Sequence, residues 1–225
     1  PAAGGTGRKL APRVQEFTFA PDSGAVAYLE NYNVSSRAGT LGVAQLPEGA
    51  PKQVGRLVPN FNWSPDGKRL AFLARFLQPI FSVDLMLYPV GAEAATKVYA
   101  GVFGYGFTPQ GDRLLLRSTC VREGRACDLF SADPSKPGEA PKKLLEGVYS
   151  FRTSDDGERL LVSYAKFEAD LYDVAVYNFK TGERKTLDTL ALLPPLFMTP
   201  DGSKVAYALG DRKRPGIYVA DRDVP

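Results

Sequence analysis

Cys120 and Cys127, in STCVREGRACDLF, are the two cysteines of this 225-residue chain, and they bracket a Gly-containing turn. A pair with none left over reads most simply as a disulfide across a loop. Two free thiols are an alternative; so is a two-ligand metal site, which would lack the His, Asp or further Cys needed to complete it. A disulfide would imply an oxidising compartment and therefore export. No histidine occurs anywhere in the chain. That absence removes the Ser-His-Asp and Cys-His nucleophile systems and zinc sites built on imidazole.

The remaining chemistry-bearing residues are thin. Glu168, Asp170 and Asp173 form an acidic cluster, but it falls on a loop and the strand that follows, where solvation is the simpler explanation. A glycosidase would need paired carboxylates facing its substrate, and the strands described below carry few acids. GVFGYG at 101–106 is glycine-rich yet has no lysine and no following helix, so it does not make a phosphate cradle. No G-x-S-x-G elbow and no D-x-D-x-D calcium loop occurs. These observations assign no catalytic residue, no metal ligand and no cofactor.

The elements that must carry any site show themselves by repetition. FTFAPDSGAVAYLE, FNWSPDGKRLAFLAR, YGFTPQGDRLLLRS, FRTSDDGERLLVSYA and LFMTPDGSKVAYALG align on Pro21, Pro65, Pro109, Asp155 and Pro200, at intervals of 44, 44, 46 and 45 residues. Four positions earlier stand Phe17, Phe61, Tyr105, Phe151 and Leu196; five later stand Val26, Leu70, Leu114, Leu160 and Val205. Large side chains at period two on both sides of a turn predict two antiparallel strands. Asp-Gly supplies a left-handed position and a side-chain acceptor for the turn, and Pro ends the first strand. The second strand is apolar on both faces, which predicts burial on both.

Each repeat offers two more strands. The third strands are 41–46, 83–88, 128–133, 171–179 and 216–221; the fourth are 52–57, 96–100, 142–147 and 184–190. Four strands in about 45 residues is the signature of a β-propeller blade. The fifth repeat stops before a fourth strand, and Leu10 precedes Phe17 by the same seven residues that separate Val54, Val98 and Leu144 from Phe61, Tyr105 and Phe151. Residues 7–13 are therefore expected to supply the missing outer strand beside 216–221, closing a ring. The expected fold is all-β: five four-stranded blades, one propeller domain over 7–225, and a flexible lead-in at 1–6.

The sequence from Phe61 to Phe72, with Trp-Ser-Pro-Asp-Gly-Lys at its centre, resembles the propeller repeats of the TolB family and its WD40-like relatives. The resemblance covers about residues 7–221. It implies a propeller, six-bladed in typical members, and is specific for fold rather than function, because such repeats occur in binding proteins and as accessory domains of peptidases. Repeats three and four depart from the pattern, reading PQG and DDG.

The loops between second and third strands vary most in length, and variable loops on a rigid frame commonly carry function. They hold Arg37, Arg75, Phe76, Phe81, Arg122, Arg125, Lys166, Arg212, Lys213 and Arg214. Arginine and aromatic residues dominate interface hot spots. A protein partner is expected on this face, although a plain solvated rim would carry the same residues. The net charge of +3 is interspersed with both signs and does not call for nucleic acid. No apolar run reaches the roughly 18–20 residues of a membrane helix. The start at Pro1, without Met or a leader pattern, suggests a processed protein or an excised domain. The expected role is a non-catalytic protein-binding scaffold, periplasmic, outer-membrane-associated or secreted. The alternatives are an accessory domain of a larger enzyme such as a serine peptidase, or a carbohydrate-binding propeller.

Overall fold

The computed structural model describes residues 7–74, 83–121, 124–166 and 171–221, without the side chains of 193–195. Every regular element among them is a β-strand. The first sheet, in order, is β1 (Val14–Phe19), β2 (Ala25–Asn33), β3 (Ala38–Gln45) and β4 (Lys52–Val58). A second four-stranded sheet follows: β5 (Phe61–Trp63), β6 (Arg69–Ala74), β7 (Val83–Pro89) and β8 (Thr96–Val102).

The rest is one nine-stranded antiparallel meander. It runs β9 (Gly104–Phe107), β10 (Leu114–Val121), β11 (Ala126–Ala132), β12 (Lys142–Thr153), β13 (Arg159–Lys166), β14 (Leu171–Asn178), β15 (Arg184–Met198), β16 (Lys204–Leu209) and β17 (Gly216–Asp221). The chain divides into two compact units, Pro1–Val102 with Ser135–Ala140, and Phe103–Pro134 with Pro141–Pro225.

The expected turns and inner strands are formed, with one device the repeat did not reveal. In four of the five turns a hydroxyl one residue before the aligned position is tied to a carboxylate. Ser64, Thr108, Ser154 and Thr199 donate to Asp66, Asp112, Asp156 and Asp201 at 2.6, 2.6, 2.5 and 2.7 Å. Each hydroxyl also accepts the backbone N–H across the turn, from Arg69, Arg113, Arg159 and Lys204 at 2.9–3.1 Å. Repeat three lost its acid to Gln110 but recovers it from Asp112 two positions on, so the departure is compensated. The first repeat has Ala20 at the hydroxyl position, and Ser23 takes the left-handed conformation that glycine takes in the others, with φ 61°. Turns also stack on one another: a Cβ at Gly202 would come within 2.9 Å of the Ser154 Cβ.

Two expectations are corrected. The outer strands at 142–147 and 184–190 are not separate from the inner strands that follow. They are continuous with them as the bent strands β12 and β15, so the sheets do not fall into five separate four-stranded sets. The bends are register shifts between Val148 and Ser150 and between Leu192 and Leu196, next to left-handed residues at Gly147 (φ 69°) and Leu190 (φ 68°). A bulge lets one strand leave one pairing and enter the next without a loop. Second, residues 7–13 form no strand, and β17 has one ladder partner among the described residues, β16. Arg8 instead donates to the carbonyls of Glu48 and Gly49 at 2.9 and 3.2 Å, holding the segment by the end of β3.

The core lies between sheet faces, as strands apolar on both sides require. In the first unit Ala27, Leu29, Leu41 and Val43 pack against Phe61, Leu70, Phe72 and Tyr88. In the second, Leu115 and Leu129 pack with Val148, Leu160 and Val162, and Leu161 and Val174 with Val205 and Tyr207. Each fully buried Leu or Phe contributes about 1.5–3 kcal/mol. These layers fix the strand ends from which the loops emerge.

Candidate binding face

Within each sheet, antiparallel order sends the loops between second and third strands to the end opposite the hydroxyl turns. Arg75, Phe76, Phe81 and Arg122 lie outside the described residues. Arg37 is exposed at the tip after β2, in a left-handed conformation with φ 49°. Arg212 and Lys213 are exposed before β17. Arg214 is turned to structure: its guanidinium reaches Asp188 at 3.2 Å, and its carbonyl accepts the Tyr218 hydroxyl at 3.1 Å. The Asp188 carboxylate, and behind it Asp211, raise its pKa. Lys166 is paired with Asp173 at 3.0 Å. Among the described residues of the loops, Arg37, Arg212 and Lys213 are exposed cations, whereas Lys166 and Arg214 are already held by carboxylates.

Cys120 and Cys127 are joined in a disulfide that closes a loop of sequence separation 7. It pins the end of β10 to the start of β11, where the register shifts between Ser118 and Val121. Around this staple the structure assembles residues the repeat did not single out. The Arg117 guanidinium donates to the Gly124 carbonyl at 2.7 Å and to the Cys127 sulfur at 3.1 Å, and lies 5.8 Å over the Tyr149 ring. Its Nε is buried without a hydrogen-bond partner. Burial pulls the Arg117 pKa down, with the Tyr149 phenol opposing. Tyr149 in turn packs on Tyr172 with ring centroids 4.9 Å apart. A hydrogen bond with Tyr172, and then burial, raise the Tyr149 pKa, while the charges of Arg125 and Arg117 pull it back.

Beside Tyr149, a cavity of about 350 Å³ opens among β12, β13 and β14, with Leu196 of β15 closing one side. Its polar lining is Tyr149, Ser150, Arg152, Ser163 and Tyr172; Phe151 and Leu161 supply the apolar remainder. Among the described residues no carboxylate lines it. Ser150 and Ser163 share a hydrogen bond of 2.6 Å, and Arg152 sits 5.9 Å over the Phe197 ring. The cause of the cavity is legible in the repeat. Eight residues after the aligned position stand Leu29 and Leu73, both buried, then Arg117, Ser163 and Ala208. Where the first repeat fills the space between its sheet and the next with Leu29, the fourth places a serine, and a void remains.

Such a lining can recognise a polar ligand, and among the described residues it brings no carboxylate beside its hydroxyls. Among the described residues no group of three or more His, Cys, Asp and Glu side chains could hold a metal ion. Arginine over tyrosine, with hydroxyls behind, suits a carboxylate next to an apolar or aromatic group.

No family model and no curated protein matches the chain. Solved structures do. TolB from Acinetobacter baumannii superposes with a TM-score of 0.56 at 18% identity, covering 93% of this chain and 52% of that one. The chain has a TolB-like β-propeller fold. The propeller domain of the Trilobed protease from Pyrococcus furiosus, which has an open velcro topology, gives 0.58 at 14%, covering 93% and 69%. Pyrococcus horikoshii acylaminoacyl peptidase gives 0.58 at 16%, covering 93% of this chain and 38% of that one. This propeller chain thus spans about half the length of the TolB it resembles. Proteins with and without peptidase activity share the fold, which therefore leaves function to the site.

Proposed function

We propose that the chain is a non-catalytic protein-binding propeller, which takes up a carboxylate-bearing segment of a partner at the Tyr149–Tyr172–Arg152 cavity. The observation that carries this reading is a cavity lined by arginine, tyrosine and serine with no carboxylate to neutralise it. The exposed cations Arg37, Arg212 and Lys213 on the loop-bearing ends would speed encounter with an acidic partner, and the cavity would supply the affinity. The disulfide supports an oxidising location, periplasmic or secreted. The likeness to peptidase propellers favours a second reading, an accessory domain of a larger enzyme; the sequence flanking this chain in its gene separates the two.

The test is fluorescence anisotropy with labelled peptides that carry an aromatic residue followed by a free C-terminal carboxylate, against the same peptides amidated. A charge-assisted hydrogen bond of about 1.5–3 kcal/mol translates into roughly 10- to 100-fold weaker binding for the amidated peptides and for Arg152→Glu. Equal binding of free and amidated peptides, or an unaffected Arg152→Glu, refutes the carboxylate reading.

A further inference from the structure

Arg117 stands where the first two repeats bury Leu29 and Leu73, and little around it balances its charge. One terminal nitrogen donates to the Gly124 carbonyl at 2.7 Å and to the Cys127 sulfur at 3.1 Å. Nε finds no hydrogen-bond partner among the described residues, and the Tyr149 ring lies 5.8 Å away. Besides burial, the Tyr149 phenol is the one group that acts on its charge among the described residues; no carboxylate does. Asp128, next to Cys127 in sequence, is engaged by Lys143 at 2.9 Å and by the Thr119 hydroxyl at 3.2 Å. A buried cation without a counter-ion favours any chemistry that brings an anion within its reach. The atom within its reach is a disulfide sulfur.

The two sulfurs of the bridge are not equivalent. Cys127 is 1% exposed, on β11 beside the guanidinium. Cys120 is only half-buried, near the end of β10 between exposed Thr119 and Val121. An incoming thiolate therefore meets the Cys120 sulfur, and the sulfur that departs belongs to Cys127. Thiol–disulfide exchange is faster when the leaving thiolate is stabilised, and a guanidinium hydrogen bond stabilises one. The Tyr149 ring belongs to β12, outside the bridged loop, so one of the contacts that place Arg117 does not depend on the bridge.

We propose that the Cys120–Cys127 bridge is a thiol–disulfide exchange site for small thiols, attacked at Cys120 with Cys127 leaving as a thiolate held by Arg117. In the first step a bond forms between the thiol's sulfur and Cys120, the bridge breaks, and its electron pair leaves on Cys127. A second small thiolate then attacks the first one's sulfur, the two depart as a disulfide, and Cys120 takes a proton from solvent. Two thiols are oxidised and the bridge gains two electrons; the reverse sequence restores it. The bridge is the resting state in an oxidising compartment, and the exchange stands apart from the binding proposed at the cavity.

The experiment treats the folded, oxidised chain with glutathione, quenches in acid and locates the mixed disulfide by peptide mass spectrometry. The expected adduct is on Cys120, with Cys127 free. In parallel the rate of reduction is followed in the wild type, Arg117→Gln and Arg117→Lys, with circular dichroism to confirm the fold. Loss of the charge-assisted hydrogen bond, scaled by a leaving-group sensitivity of about one half, should slow Arg117→Gln about 3- to 10-fold. Arg117→Lys keeps the charge and should recover most of the rate, which a purely structural role for the side chain would not produce. In denaturant all three chains should be reduced at one rate. An adduct on Cys127, a rate unchanged or raised in Arg117→Gln, or a bridge that glutathione reduces only after denaturation overturns the proposal. Should the Arg117 variants not fold, the position of the adduct on the wild type still decides it.

Discussion

Ser154→Ala isolates the device that closes four of the five turns. The hydroxyl is 1% exposed, donates to Asp156 at 2.5 Å and accepts the Arg159 N–H at 3.0 Å. Alanine keeps the Cβ that packs against Gly202, so the hydroxyl alone is lost. The Arg159 N–H is left without its acceptor, and the Asp156 carboxylate loses its shortest donor while keeping the Glu158 N–H and the Arg159 guanidinium, at 2.9 and 3.3 Å. A hydrogen bond to a charged group contributes about 1.5–3 kcal/mol, and an orphaned donor costs about 1–3. Because the two share one oxygen they do not add fully, and the expected loss is about 2–4 kcal/mol. At about 2–4 °C per kcal/mol for a chain of this size, the melting temperature should fall by about 5–15 °C. Differential scanning calorimetry measures it. A double-mutant cycle with Asp156→Ala should return a coupling above about 1 kcal/mol. Ser35→Ala, on an exposed turn, serves as the control and should stay within about 0.5 kcal/mol. A loss in Ser154→Ala no larger than the control, or a coupling near zero, refutes the hydroxyl–carboxylate account of the turns.

Two further outcomes follow from the geometry. Replacing both Cys120 and Cys127 by serine should cost about 2–3 kcal/mol in the chain-entropy treatment of so short a loop, read from a chemical denaturation midpoint; an unchanged midpoint would mean the staple constrains nothing in the unfolded chain. Burial raises the Asp66 pKa, but the Ser64 hydroxyl, the Lys68 N–H and the charges of Arg69 and Lys68 outweigh it, so the net shift is downward. A depressed carboxylate contributes its stability above the unfolded value of about 3.9 and loses it as the pH falls through the folded one. Asp66→Asn should therefore flatten the stability curve below about pH 4, and a wild-type and variant pair with parallel curves there would contradict the shift.

Most of the strand plan was legible in the sequence because it is periodic: the pairs Phe61–Phe72 and Leu196–Tyr207 are ladder partners as the spacing required. The bends of β12 and β15 were not. A left-handed residue stands eight positions before the aligned residue in each of the first four repeats, at Arg13, Leu57, Gly101 and Gly147, and at Leu190 in the fifth. Only two of these five are glycines, so composition gave no signal; the conformation is imposed by the pairing on either side, not by local preference. The loop arginines were read by type, and type alone could not tell Arg214, held by Asp188, from the exposed Arg212.

The cavity beside Tyr149 was not singled out in the sequence, although its cause lies in a break of the pattern. A repeat sets, position by position, what packing alone requires, so a departure with a compensating change elsewhere is structural and one without is a candidate for function. Gln110 in place of aspartate belongs to the first kind, because Asp112 restores the carboxylate to Thr108. Arg117 and Ser163 in place of leucine belong to the second. Arg117 buries a guanidinium whose Nε finds no hydrogen-bond partner among the described residues, and Ser163 leaves unfilled a space that a leucine occupies two repeats earlier. Both positions lie in neighbouring repeats of one unit and border Tyr149 or the cavity beside it. Arg117 is answered in part by the Gly124 carbonyl and the Cys127 sulfur, whereas the space left at Ser163 is answered by nothing in the packing and is the place where a ligand would restore it.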